Sequence, residues 1–409
     1  MTETTCRFCA APLNVVFADL GMSPLANSYL TPDEVGAMEP FFPLRAFVCE
    51  QCFLVQLEDY ETPERIFSEY AYFSSYSSTW VDHARRYAEM AVERFGLDEN
   101  SHVVELASND GYLLRWFAER RIPVMGIEPA ANVALVAIQA GIPTLVEFFG
   151  VGVADELAPE SRADLLIGNN VLAHVPDLND FVDGMKRLLK PGGTITMEFP
   201  HLMHLISDER FDTIYHEHFS YFSFSAVRRV FAAHGLRVWD VEELPTHGGS
   251  LRIFGCHDDD ERGESAAVVE LAQREDAAGY GTLEPYVHFA ERVRDVKRDI
   301  LRFLIDLKDQ GLRVVGYGAP AKGNTLLNYC GIGTDFLEFT VDVSPHKQGH
   351  YLPGSHIPIR PPEALREERP DVVVILPWNL RDEITEQHAY VREWGGRFAA
   401  CTPEMRMLP

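Results

Sequence analysis

The chain has 409 residues, 46% of them hydrophobic, and a formal net charge of −26 at pH 7, which is apolar content for two or three cores rather than one. An acidic excess of that size argues against a polynucleotide partner, whose binding is largely phosphate neutralisation by Lys and Arg; a small phosphorylated ligand stays open wherever basic residues gather locally. No apolar run approaches the roughly 20 residues that cross a bilayer, and Met1-Thr-Glu-Thr-Thr-Cys6 lacks the basic flank and apolar stretch of a signal peptide, so the expectation is a cytoplasmic protein without a membrane partner, a monomer or weak oligomer.

Cys6-Arg-Phe-Cys9 and Cys49-Glu-Gln-Cys52 are two C-x2-C knuckles, each able to offer two thiolates from one tight turn to half a tetrahedron around zinc. The gap between them exceeds the about 15–20 residues of common zinc ribbons, which a small inserted loop or hairpin accounts for. With four thiolates and no open ligand position, structural zinc is expected. Cys256, Cys330 and Cys401 stand singly among apolar residues and read as packed thiols.

An aromatic, hydroxyl-rich stretch, Tyr70 to Trp80, follows as a linker able to line a pocket, and Trp80, Ala84, Tyr87, Met90, Ala91 and Phe95 fall at helical spacing. His102–Ala107 is then a strand, Ser108-Asn-Asp-Gly111 a turn and Tyr112 onward a helix. A second strand, Pro123 to Glu128-Pro129, ends in an acid able to accept the two ribose hydroxyls of an adenosyl ligand. Further strands at 163–168 and 194–199 imply a doubly wound parallel sheet with its ligand at the carboxyl ends of the strands.

These features resemble class I S-adenosylmethionine-dependent methyltransferases. Glu105-Leu-Ala107-Ser-Asn109-Asp-Gly111, Gly126-Ile-Glu128-Pro129 and Leu189-Lys-Pro-Gly-Gly193 carry the resemblance. It makes Glu105, Ala107, Asn109, Gly111, Glu128, Pro129 and the later pair Asn169 and Asn170 the expected cofactor residues. Ala107 stands where many such enzymes have glycine. The loop is not G-x-G-x-x-G, which favours a sulfonium cofactor over a nicotinamide.

Asn169 to His174 follows the fourth strand of this unit and Phe211-Asp-Thr-Ile-Tyr215-His-Glu217-His218 the fifth, both on loops at the reactive edge. Methylation of carbon needs a proton removed beside a ketone while the enolate oxygen is stabilised. A histidine suits the first task, and a hydroxyl or second imidazole the second. His218 is thus a candidate base, Glu217 an orienting group, and Tyr215 and His174 partners for the oxygen. Alternatively His216, His218 and His174 bind a metal, though without the one-turn spacing of H-E-x-x-H. Thr246-His247-Gly-Gly-Ser-Leu-Arg252 allows close backbone approach, with Arg252 either a bidentate phosphate ligand or a solvent-facing hairpin residue.

Leu283 to about Gly311 reads as one long amphipathic helix. A second Rossmann-like unit follows: strand 312–317, glycine loop Gly318-Ala-Pro-Ala-Lys322, helix, strand 337–342, and a buried strand from Asp371 that ends at Trp378-Asn379. It is a ligand site at a helix N-terminus or a structural copy of the fold.

Over nearly its whole length the chain resembles the sugar C-3 methyltransferases of deoxysugar biosynthesis, on the two C-x2-C pairs, Ser108-Asn-Asp-Gly111, Tyr215-His-Glu-His218, His247-Gly-Gly249 and Gly316-Tyr-Gly-Ala-Pro-Ala-Lys322. The resemblance implies a zinc module and linker over 1–76, a methyltransferase domain over 77–256 and a Rossmann-like substrate domain over 257–409. It implies S-adenosylmethionine, a dTDP-4-keto-deoxysugar as the nucleotide-sugar partner, and removal of its C-3 proton by His218 with Tyr215, Glu217 and His174 nearby. Tyr72, Lys322, Lys347, Trp378 and Asn379 become candidates for the diphosphate or nucleoside, beside His247 and Arg252. The rival readings are an O- or N-methyltransferase of another small metabolite and a non-catalytic nucleotide-binding protein.

Overall fold

The computed structural model describes residues 4–62, 73–401 and 405–408; Tyr72 lies outside them. The N-terminal part is an antiparallel meander of β1 (Val15–Ser23), β2 (Phe42–Val48) and β3 (Val55–Leu57). Helix α1 (Ser78–Phe95) leads out of it. Ser77 caps α1 by accepting the Trp80 N–H, and Gly96 closes it at φ 63°, the left-handed stop that glycine supplies without a steric cost.

The central sheet runs β4 (Val103–Leu106), β5 (Val124–Ile127), β6 (Thr144–Leu145), β7 (Ala163–Asn169), β8 (Leu189–Pro200), β10 (Leu236–Leu244) and β11 (Ser250–His257) in chain order. In space the order is β10-β11-β8-β7-β4-β5-β6. Five strands are parallel; β4, β7 and most of β8 are buried on both faces, as their apolar runs demand, while the two-residue β6 at the edge is half-buried. The last two form an antiparallel hairpin whose β11 lies against β8. Between β8 and β10 the chain makes α2 (Leu202–Ser207), strand β9 (Ser220–Tyr221) and α3 (Phe224–Ala233). β9 leaves the central sheet and pairs with β3, Val55 opposite Tyr221. That pairing pins the loop before it, which carries residues 211–218, against the N-terminal meander.

Helix α4 (Ala266–Ala277) packs on β10 and α3, so the chain stays on the central layer beyond residue 257. The long helix expected over 283–311 is two: a short turn at Glu284–Val287, then α5 (Phe289–Asp309), which buries Phe289, Val293, Ile300, Leu304 and Leu307. The C-terminal sheet has β12 (Val314–Tyr317), β13 (Thr340–Val341), β14 (Ile359–Arg360), β15 (Val372–Ile375), β16 (Arg397–Ala400) and β17 (Arg406–Met407), in the order β14-β13-β12-β15-β16-β17. Only β17 is antiparallel. Helix α6 (Ala321–Cys330) follows β12 through the glycine loop. Among the described residues no helix is long and apolar enough to cross a membrane.

Candidate active site and metal centre

The two cysteine knuckles fold identically. In each, the residue after the second cysteine is left-handed, Ala10 at φ 59° and Phe53 at φ 60°, and its N–H returns to the carbonyl of the first cysteine at 2.9 Å. The four sulfurs converge within 4.8 Å of one another, Cys6 to Cys52 at 3.6 Å and Cys9 to Cys49 at 3.5 Å. Thiolates about 2.3 Å from a tetrahedral zinc stand about 3.8 Å apart, whereas a disulfide needs about 2.05 Å. The donor set therefore fits zinc and leaves no open position. Gln56 Nε2 donates to Cys6 Sγ at 3.2 Å and the Gln51 N–H to Cys49 Sγ at 3.4 Å, outer bonds that spread thiolate charge.

A cavity of about 460 Å³ opens at the carboxyl ends of the central strands, within the size range of small-molecule sites. Its floor is the turn after β4, built from left-handed residues: Ala107 at φ 53°, Asn109 at φ 51° and Gly111 at φ 77°. Ala107 thus holds the backbone conformation for which glycine is usual. Glu128 Oε2 accepts the Asn109 N–H and Oε1 the Ala130 N–H, each at 2.9 Å; burial raises its proton affinity while those two N–H groups restrain the rise. Gly126 leaves room for this turn, since a Cβ there would lie 2.3 Å from Ser108 Oγ and 2.9 Å from Ser108 Cβ. Ala107, Asn109, Glu128, Pro129, Asn169 and Asn170 all line the cavity. Asn170 Oδ1 is buried with no protein partner among the described residues, and a polar ligand would satisfy it. Gly111 shapes the turn instead, and Glu105 sits behind it, 1% exposed, its carboxyl pushed well above the usual range by burial and by Glu128 and Asp110. Ser74 and Ser75 of the linker donate their N–H groups to the Asn109 and Asp110 side chains at 2.8 and 3.1 Å, so the linker's end docks on this turn.

The loop between α2 and β9 carries Tyr215, Glu217 and His218 into the cavity, and the loop after β7 brings His174 beside them. His218 Nδ1 lies 3.1 Å from the Thr213 carbonyl; donating to it puts the proton on Nδ1 and leaves Nε2 as the acceptor. The His174 ring stands edge-on at 4.7 Å between centroids, the Tyr215 ring at 4.0 Å. Burial holds His218 well below the ordinary imidazole range, with His174 adding to the effect, and holds His174 at about 4. Glu217 is 4% exposed and is pushed up to about 7 by burial. Both its oxygens accept from Asn27 Nδ2, at 2.7 and 2.9 Å. Tyr29 O–H lies 3.2 Å from Asn27 Oδ1 and 2.5 Å from the Ala319 carbonyl, so one N-terminal loop bridges Glu217 to the C-terminal domain. No motif marks Asn27 or Tyr29; only the tertiary assembly brings them here.

His216 turns away, Nε2 3.2 Å from the Pro43 carbonyl and its ring edge-on to Phe42. Among the described residues, the sets within ligand reach of one ion are the four cysteines and His201, His204 and Glu243. The alternative metal set of His216, His218 and His174 is not assembled.

Across the cavity, Arg210, Lys322 and Lys347 line one wall, a concentration of cations in a chain with 62 acidic and 36 basic residues. Lys322 Nζ meets Asn379 Oδ1 at 2.8 Å and lies 4.5 Å over the Trp378 ring; burial lowers it to about 8. Trp378 and Asn379 therefore stand behind Lys322 rather than in the wall, Trp378 donating Nε1–H to Asp212 at 2.7 Å. Lys347 Nζ donates to the Ala319 carbonyl at 2.9 Å. His247 lines the cavity with Nε2 3.1 Å from Asn170 Nδ2. The neighbouring glycines are required: a Cβ at Gly248 would strike Trp378 at 2.5 Å and one at Gly249 His204 at 2.5 Å.

Arg252 is a correction. The strand register sets it opposite Glu198 on β8 and Glu242 on β10. It is 4% exposed and paired with both, at 2.8 and 3.1 Å. Burial alone would raise Glu198, but the His83 hydrogen bond and the Arg252 charge hold it at about 2. Arg252 therefore neutralises a buried carboxylate, does not line the cavity and does not face solvent.

Three family models match in succession: "Putative zinc binding domain" over residues 6–67, a methyltransferase domain over 80–241 and a C-methyltransferase C-terminal domain over 245–403. The C-methyltransferase NovU of Streptomyces niveus is 37% identical over 407 residues, covering 98% of this chain and 96% of that one. A ubiquinone biosynthesis O-methyltransferase of Rhodopseudomonas palustris strain TIE-1 is 26% identical over 117 residues, 28% of this chain and 46% of its own. Among solved structures, the 1,6-didemethyltoxoflavin-N1-methyltransferase of Burkholderia thailandensis covers 50% of this chain and 95% of its own at 17% identity and a TM-score of 0.36. The match to NovU runs through the cysteine module, the turn after β4 and the C-terminal domain alike, and on that ground the chain belongs to the C-methyltransferase family, S-adenosylmethionine-dependent enzymes with an N-terminal zinc-binding domain.

Proposed function

We propose that the acceptor is a nucleotide-linked 4-keto-deoxysugar, carried by dTDP, and that the methyl is placed on its C-3. The observation that carries this reading is His218: its Nδ1 proton is committed to the Thr213 carbonyl, so Nε2 is a fixed acceptor, with Tyr215 and His174 packed beside it and the cofactor turn in the same cavity. A carbon nucleophile must be made by removing a proton next to a carbonyl. His218 Nε2 takes the C-3 proton, neutral because burial disfavours the imidazolium. The Tyr215 hydroxyl and His174 address the C-4 oxygen as it becomes an enolate, in a water-poor site where such donors count for more. Glu217, held by Asn27, orients the sugar. S-adenosylmethionine, when bound, supplies an electrophilic methyl group.

The nucleotide part of the reading rests on the opposite wall. Lys322 opens α6 at the glycine loop, where N-terminal N–H groups favour an anion, and Arg210 and Lys347 add charge. The sugar itself follows from the family resemblance of the loop and glycine motifs. Exchange in D2O tests the base. With S-adenosylhomocysteine and a dTDP-4-keto-deoxysugar, the wild type washes deuterium into C-3 and His218→Ala does not. Exchange that survives in His218→Ala, or none in the wild type with any such sugar, contradicts the assignment.

A further inference from the structure

A second cluster of metal-ligating groups sits beside the cavity and is not used by the chemistry above. His201, 1% exposed, precedes α2; its Nε2 meets Glu275 Oε1 at 2.7 Å. Glu275, itself fully buried, also accepts the Phe224 and Ser225 N–H groups and the Ser225 hydroxyl, each at 2.7 Å, and these donors keep it a carboxylate. A carboxylate accepting the Nε2 proton fixes the tautomer, so His201 Nδ1 keeps its lone pair. That atom is buried and has no partner among the described residues. The carboxylate–histidine arrangement is the one that orients metal-bound imidazoles. The His204 ring, one helical turn on, stands at 84° to His201 with centroids 5.6 Å apart, and Glu243 reaches in from β10. One ligand atom from each of the three lies within 4.8 Å of the other two.

We propose that His201, His204 and Glu243 form a second, exchangeable site for a divalent cation of the zinc, cobalt and nickel class, with three protein ligands and at least one open position. Ligands about 2.0–2.2 Å from such an ion stand roughly 3–3.5 Å apart, so atoms within 4.8 Å of one another must close by up to roughly 1.3–1.8 Å. His204 is half-buried and Glu243 exposed, and both have side-chain freedom to do so. Arg274 holds Glu243 at 2.7 Å and Arg210 lies near His204, so the ion displaces one cation and tolerates another. That makes the site weaker than the four-cysteine centre. It ties α2 to the edge of β10 where His201 and Gly249 line the cavity.

Cobalt titration of the full-length protein with zinc in its cysteine centre tests the site, followed by absorption and native mass spectrometry. The result expected is one further equivalent of Co2+ at sub-millimolar concentration, with weak d–d bands and no thiolate charge-transfer band. His204→Ala abolishes it, and Glu243→Gln, a change on an exposed side chain that leaves folding intact, weakens it by about tenfold or more, the effect of losing one ligand or its support. No further equivalent at millimolar Co2+, a thiolate charge-transfer spectrum, or binding unchanged in either variant overturns the proposal.

Discussion

Replacing Asn27 by Leu probes how the zinc module acts on the reactive loop. The substitution keeps the bulk of the side chain and removes the Nδ2 donor that serves both Glu217 oxygens at 2.7 and 2.9 Å. A hydrogen bond to a charged group contributes about 1.5–3 kcal/mol, and 1.36 kcal/mol corresponds to one pKa unit. Glu217, at about 7 in the wild type, should therefore titrate about one to two units higher. The limb of the kcat–pH profile that reports Glu217 ionisation moves up by the same amount, read by methyl transfer from radiolabelled S-adenosylmethionine between pH 6 and 10. Stability follows with a definite sign. Because the folded carboxyl binds its proton more tightly than the unfolded one, stability is full below the ordinary carboxylate range and is lost as pH rises through about 7. In Asn27→Leu that loss extends to higher pH. A profile whose limb does not move, with the variant folded, refutes the claim that Asn27 sets the ionisation of Glu217.

Three further changes separate the roles assigned above. Glu128→Ala removes the carboxylate that closes the cofactor turn and should weaken S-adenosylhomocysteine binding about 10–100-fold by calorimetry; undiminished affinity places the cofactor elsewhere. Cys9→Ser should empty the zinc centre, read as metal content per chain, and lower the unfolding temperature; full zinc content in the variant contradicts four-cysteine ligation. Arg252→Met strands Glu198 in the core and should destabilise the central domain by about 3–5 kcal/mol in chemical denaturation, whereas a change confined to the KM for the sugar would restore a phosphate-binding role.

The parts legible in the sequence are those whose chemistry is encoded in short spacing. The C-x2-C pairs, Ser108-Asn-Asp-Gly111 and Tyr215-His-Glu-His218 each form one turn or loop, and the fold leaves their local geometry intact. Asn27 carries no sequence signal, because it reaches Glu217 only after β9 pairs with β3 and draws the loop onto the N-terminal meander. The place of Arg252 is hidden from the sequence for a related reason. The paired glycines before it suggest an open turn, but the cross-strand register with β8 and β10 decides its partners, and register is a property of the sheet. His201 gives no sign of its buried carboxylate partner in sequence either, since Glu275 arrives from a helix far along the chain. The long amphipathic stripe fixed the buried face of α5 correctly but not the break at His288, because a short helical turn and a continuous helix share one periodicity.

The central claim is carbon methylation of a nucleotide-linked keto sugar, and it is tested most directly by incubating the zinc-loaded enzyme with methyl-13C S-adenosylmethionine and dTDP-4-keto-deoxysugars, then reading the product by NMR. The account predicts a labelled methyl bonded to C-3, coupled to ring carbon, with the C-4 carbonyl retained; a label on oxygen or nitrogen, or no transfer to any member of the series, contradicts it.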